Sequence, residues 1–151
     1  SLKILLQKVL KKHMQFFELD SFRVIVEKRG RDVPCISEAT IKVKVAGETE
    51  LTAGEGSGPV DALNEALRQA LTRFYPEIEN IALTDFRVRI LDPKEATRAV
   101  TRVLIESGDG QRQWGTVGVS DNIIEAAWQA LLDSVEYKLY EDRGEREDAS
   151  N

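Results

Sequence analysis

Trp114 to Leu131, WGTVGVSDNIIEAAWQAL, reads as a buried strand, a short glycine-containing turn and a long amphipathic helix. Ile124, Ala127, Trp128 and Leu131 recur at the spacing of one helix face, and Val135 and Leu139 continue it. Ser120 or Asp121 is the expected helix cap. Glu125 falls in the early turns, where the positive helix end favours it. Leu51 to Leu67, LTAGEGSGPVDALNEAL, is a fainter copy. Gly56 aligns with Gly118. After a two-residue insertion, Val60-Asp61-Ala62 aligns with Ile124-Glu125-Ala126, and Ala66-Leu67 with Ala130-Leu131. Two strand-turn-helix units with similar ends point to a duplicated domain.

The flanking segments complete both units. Ser21 to Arg29 alternates Phe22, Val24 and Val26 against Arg23, Ile25 and Glu27, the signature of a strand. Gly30 to Pro34 is a polar turn. Glu38 to Val45 alternates again, and Ala46-Gly47-Glu48 turns the chain back through Thr49 to Ala53. Gly54, Gly56 and Gly58 are expected to break that strand, and Pro59 suits the first turn of a helix. Val60, Leu63, Leu67, Ala70, Leu71 and Phe74 form its apolar stripe, which Tyr75-Pro76 ends. The second unit repeats the order. Ile81–Leu91 and Ala99–Glu106 are strands, with a loop from Asp92-Pro93 between them. A turn at Gly108-Asp109-Gly110 leads to the third strand, Arg112–Val119. The fold class is therefore α+β: two βββα units with antiparallel sheets and helices packed on one face. One helix per sheet covers it only in part, so the other half or a second copy of the chain must complete the cover. The units span residues 21–76 and 77–141. Residues 1–20 form a helical lead-in, with Leu2, Leu5, Leu6, Val9 and Leu10 on one face and lysines on the others. Residues 142–151 are polar and expected to be disordered.

Composition excludes several classes. A chain of 151 residues with 42% hydrophobic content suffices for one domain or two half-domains with a real core. A net charge of −5 argues against a nucleic-acid partner. No apolar run approaches the roughly 18 residues that span a bilayer. The lone Cys35 excludes an internal disulfide framework, and with no signal-like segment a cytoplasmic setting is expected. The chain begins at Ser1 rather than Met, as a fragment would.

Catalytic chemistry finds little support. The lone His13 sits on the charged lead-in helix, where a solvent-facing role outweighs a metal ligand. Cys35 has no local histidine to activate it. No metal site and no catalytic residue is expected. Acidic residues on the helix surfaces have no shared pocket to face. GEGSGP at Gly54–Pro59 lacks the Lys-Ser/Thr of a phosphate loop and the third glycine of a dinucleotide fold. Its glycines permit positive φ or a close ligand approach, and it opens a helix whose first N–H groups are unpaired. An α-carboxylate suits that position. A plain tight turn between strand and helix remains the other reading.

WGTVGVSDNIIEAAWQALLDSVEYKL resembles the C-terminal end of the α-isopropylmalate synthase and citramalate synthase family, as do GEGSGPVDALNEAL, YPEIENIALTDFRVRIL and ATRAVTRVLIE. The likeness covers about Ser21 to Tyr140 and corresponds to the regulatory, LeuA-type dimerisation domain. SLKILLQKVL and FFELDSFRVIVEKR look most like the citramalate branch, where residues 1–20 would be the linker. In that family a separate barrel binds a divalent metal and condenses acetyl-CoA with a 2-oxo acid. The resemblance implies no cofactor for this stretch. It implies a homodimer that binds isoleucine, or alternatively leucine, as feedback inhibitor, with a dimerisation module without effector as the other outcome. By position the effector site falls on Gly56, Gly58, Pro59, Val60 and Asp61, on Leu83, Phe86 and Ile90, and on Thr97 and Thr101. Phe86 stands where many relatives carry tyrosine, which makes the pocket more apolar. The turn Gly118-Val119-Ser120 is a weaker candidate.

Overall fold

The computed structural model describes residues 16–91 and 100–150, with side chains as far as Arg143. The lead-in helix read over the first residues, His13, the Asp92-Pro93 loop and Thr97 lie outside them.

Alternating sequence becomes two antiparallel three-stranded sheets. The first holds β1 (Glu18–Glu27), β2 (Ile36–Val45) and β3 (Glu48–Gly56), followed by α1 (Pro59–Thr72) and a 3-10 turn at Pro76–Asn80. The second holds β4 (Ala82–Leu91), β5 (Val100–Gly108) and β6 (Gln113–Ser120), followed by α2 (Ile123–Ser150). In each sheet the middle strand buries every second residue against the helix: Ala39, Ile41, Val43 and Val45 in β2, Val103 and Ile105 in β5. Ala62, Leu63, Ala66, Leu67, Ala70 and Leu71 of α1 and Ala126, Ala127, Ala130 and Leu131 of α2 meet them in one continuous core. The β2–β3 hairpin turns at Ala46 and Gly47, whose φ values of 52° and 81° give the reversed turn that suits twisted strands.

The duplication is more regular than the sequence alignment suggests. A single offset of 64 carries the pair Phe22–Ile41 to Phe86–Ile105 and Ser37–Gly56 to Thr101–Ser120. It also carries the bulge at Leu19/Ser21 to Leu83/Asp85. Thr52 Oγ1 donates to the Ala66 carbonyl at 2.7 Å, and Thr116 Oγ1 to the Ala130 carbonyl at 2.7 Å. No insertion is needed. Gly118 corresponds to Gly54, not to Gly56: a Cβ on Gly54 would lie 2.9 Å from the Ala62 carbonyl oxygen, and one on Gly118 would overlap that of Ala126. These two glycines let helix backbone rest on strand backbone.

Three local expectations are corrected. The glycine run does not break β3 before its end, because the strand continues through Gly54 to Gly56. The cap of α2 is Asn122, whose Oδ1 accepts the N–H groups of Ile124 at 2.8 Å and Glu125 at 3.2 Å. Ser120 instead accepts from the Asn122 N–H at 3.1 Å. Finally, α2 does not give way to a disordered tail after Tyr140 but runs to Ser150. Ion pairs hold the turn that follows Tyr140. Lys138 Nζ lies 2.6 Å from Asp109 and 2.8 Å from Asp142, Arg112 pairs with Asp142 and Glu141, and Arg143 pairs with Glu77 at 2.8 Å. Asp109 is only 2% exposed at its side chain and Lys138 7%. Burial pushes the Asp109 carboxyl up, but donation from Lys138 and from the Arg112 and Gln111 N–H groups outweighs it. The carboxyl is held well below the usual carboxylate range.

Contacts also tie the units together. The Phe22 ring of β1 stacks on Trp128 of α2, with centroids 5.3 Å apart. The Arg143 guanidinium lies 4.6 Å from the Tyr75 ring centroid, and the Tyr75 hydroxyl donates to the Phe16 carbonyl at 2.7 Å. The Tyr75 N–H bonds the Leu71 carbonyl at 2.8 Å, fixing this ring to the end of α1.

Candidate functional site

The start of α1 faces the start of β4 across a cleft of about 450 Å³. Its walls are Gly58, Pro59, Val60 and Asp61 on one side and Leu83, Thr84, Asp85 and Phe86 on the other. Each wall has a local cause. Pro59 opens α1 where its missing N–H costs nothing, and no side chain caps the helix at Gly58. The first-turn N–H groups, including those of Val60 and Asp61, therefore point outward as donors. Opposite them, the bulge between Leu83 and Asp85 shifts the alternation by one. Leu83 lies beside Ser107 and Phe86 beside Ile105, so both side chains share the helix-facing side despite their odd spacing.

Charge is arranged around this apolar floor. The Asp61 carboxylate stands in the first turn and accepts from Ser57 Oγ at 3.2 Å. Asp85 accepts from the Phe86 N–H at 2.9 Å and pairs with Arg87 at 2.8 Å. The cleft thus offers helix N–H donors, two carboxylates and an apolar surface within one small volume. That set matches the three parts of an α-amino acid with an aliphatic side chain.

Of the positions marked in the sequence, Gly58, Pro59, Val60, Asp61, Leu83 and Phe86 come together here. Gly56 does not line the cleft. A Cβ there would lie 2.7 Å from the Ala62 nitrogen and 2.7 Å from the Asp61 Cβ, so its role is close strand-helix packing. Gly58 does not use positive φ: its φ of −138° is extended backbone, and a Cβ there would meet only Asp61 Oδ2, at 4.0 Å. Ile90 lies farther along the face of β4 that carries Phe86 and Val88, beside Thr101 in the ladder. Phe86, Val88 and Ile90 are 41%, 43% and 60% exposed, an apolar strip running away from the cleft. Thr84 and Asp85 also line the cleft and escaped the sequence reading, because the bulge between Leu83 and Asp85 leaves no mark in the alternation. Among the described residues no group of three His, Cys, Asp or Glu is placed to hold a metal, and no helix is long and apolar enough to cross a membrane.

Comparison with known proteins agrees with this architecture. The chain is 54% identical over 140 residues to the (R)-citramalate synthase of Geobacter sulfurreducens, covering 93% of this chain and 26% of that protein. It is 48% identical over 144 residues to the (R)-citramalate synthase of Aquifex aeolicus, covering 93% and 27%. The 2-isopropylmalate synthase of Aquifex aeolicus is more distant, 34% identical over 100 residues, covering 66% and 18%. The chain therefore spans about a quarter of the length of the citramalate synthases it matches. The model of the LeuA allosteric (dimerisation) domain matches residues 1–139, and with two βββα units in the order just described, the chain belongs to that family.

Proposed function

We propose that this chain is the regulatory domain of a citramalate synthase and that it binds isoleucine, as a homodimer, for feedback inhibition of the condensation of acetyl-CoA with a 2-oxo acid. One observation carries the reading: an uncapped helix start faces an apolar wall across a cleft of amino-acid size. The ligand carboxylate takes the Val60 and Asp61 N–H groups, favoured by the helix dipole. The ammonium takes the Asp61 carboxylate, with Asp85 beside it. The aliphatic chain lies on Leu83 and Phe86. Strand and turn carbonyls would be the neutral alternative. Two carboxylates on the cleft make a stronger, charge-assisted partner.

The exposed strip Phe86–Val88–Ile90 supports the homodimer, since a second copy would cover it and close the cleft at the same time. Thr101 and Ile90 then lie toward the partner. The divalent metal and acetyl-CoA belong to the barrel of the full-length enzyme and have no role in these residues.

The greater identity to citramalate synthases favours isoleucine over leucine. The two side chains differ only in the branch position, so shape alone separates them, by about ten- to two-hundred-fold. Calorimetric titration of each amino acid into one protein preparation tests this. Equal or tighter leucine binding moves the chain to the isopropylmalate branch. Dimerisation with no heat from either ligand leaves a dimerisation module.

A further inference from the structure

The offset of 64 that relates the units also relates the cleft to a second location. Gly58 becomes Asn122, Val60 becomes Ile124, Asp61 becomes Glu125, Leu83 answers to Leu19 and Phe86 to Phe22. The strand register is the same in both places, but the occupancy differs at two positions. Where the first helix starts with Gly58 and no side-chain cap, Asn122 puts a carboxamide oxygen on the Ile124 and Glu125 N–H groups, at 2.8 and 3.2 Å. Asn64, one turn into α1 from Val60, has Trp128 as its counterpart, and that indole stacks on Phe22. Trp128 is 4% exposed and Phe22 partly buried, whereas Phe86, facing the open cleft, is 41% exposed.

We infer that the second unit carries its own ligand: Asn122 and Trp128 fill the pseudo-equivalent cleft, leaving one open amino-acid site per chain. The Asn122 oxygen stands where a ligand carboxylate would sit. The Trp128 indole stands where its side chain would lie. Two polar donors and one aromatic floor are thus satisfied from within the chain at one location and left to a free molecule at the other. The duplicated domain is asymmetric in chemistry while symmetric in strand register. This inference rests on the amino-acid reading of the open cleft for its ligand, but the plug itself stands on contacts within the structure.

Exchanging the two pairs tests it. Gly58→Asn with Asn64→Trp should close the open cleft, because Gly58 is extended and has room for a side chain. The variant should stay folded with an unfolding midpoint no lower than wild type, while isoleucine binding weakens by at least about tenfold through competition from the new cap. Its added indole should resist acrylamide quenching as Trp128 does. Asn122→Gly with Trp128→Asn should raise isoleucine stoichiometry from one to two per chain, or take up free indole where wild type takes up none. A folded closing variant that binds isoleucine as wild type does, or whose new indole is quenched like one in solvent, overturns the inference. If wild type binds no amino acid, the proposed function fails, and the quenching of the new indole still decides the plug.

Discussion

Gly118→Ala is the sharpest test of how the second unit is held together. The added methyl would overlap the Ala126 carbonyl oxygen and lie 2.8 Å from its carbon and 3.0 Å from the Gln129 Cβ. None of these is the loose end of a flexible side chain, so α2 must back away from β6. Such overpacking costs about 1–3 kcal/mol. Retreat of the helix also lengthens the 2.7 Å bond from Thr116 to the Ala130 carbonyl, a loss of roughly 1 kcal/mol. The smaller entropy of the unfolded alanine chain returns about 0.4–1 kcal/mol. The net is about 1–3.5 kcal/mol, centred near 2, a fall in midpoint of roughly 4–8 °C at that centre for a chain of this length. Thermal unfolding followed by far-ultraviolet circular dichroism at fixed protein concentration reads it. Gly115→Ala is the control: three residues away on the same strand, its methyl would meet only Leu104 Cδ1 at 3.8 Å and the Ile105 carbonyl oxygen at 4.0 Å. Its midpoint should stay within about 2 °C of wild type. If the two variants unfold together, the close approach of α2 to β6 is not what Gly118 provides.

Asp109→Asn should destabilise the domain by about 3 kcal/mol, the low end for a broken buried pair, because Asp142 remains beside Lys138. Its folded pKa is depressed, so its contribution is full above the unfolded carboxylate value, near 4, and is lost as pH falls below that. Wild type should therefore lose its advantage over Asp109→Asn on acidification below pH 4 in urea titrations, and a constant gap would refute the pairing. Val88→Lys puts a charge in the exposed strip of β4 and should convert the proposed homodimer to monomer in sedimentation equilibrium while leaving monomer unfolding unchanged to about 0.5 kcal/mol. A dimer that survives it uses another face.

The two βββα units were legible because the alternation of β2 and β5 and the helical stripes each bury one face, and burial is what the pattern encodes. The register of the repeat was not. Gly56 and Gly118 look alike as letters, but the residue that must be glycine is the one under the helix carbonyl, and that is Gly54 in the first unit. Half the cleft was readable from Gly58-Pro59, since a proline at a helix start is a local signal. Asp85 and Thr84 were not, since a bulge is decided by pairing with β5 rather than by any residue within β4. The continuation of α2 was hidden for a similar reason. EDRGERED is polar enough to stay solvated, and only the neighbours Arg112, Lys138 and Glu77 show why its first turn is fixed.

The cleft sits at one end of α1, and Tyr75 is fastened to the other by the Leu71 carbonyl. Between them lie 14 residues of helix, a rod about 21 Å long and nearly incompressible along its axis. Pushing on its first turn is therefore felt three residues past its last. There the Tyr75 hydroxyl grips the Phe16 carbonyl, and Arg143 rests on the same ring. A shift of α1 along its axis would carry Tyr75 with it, and with Tyr75 the hydrogen bond to the Phe16 carbonyl just before β1. One helix thus reaches from the wall of the cleft to the residues that lead into β1.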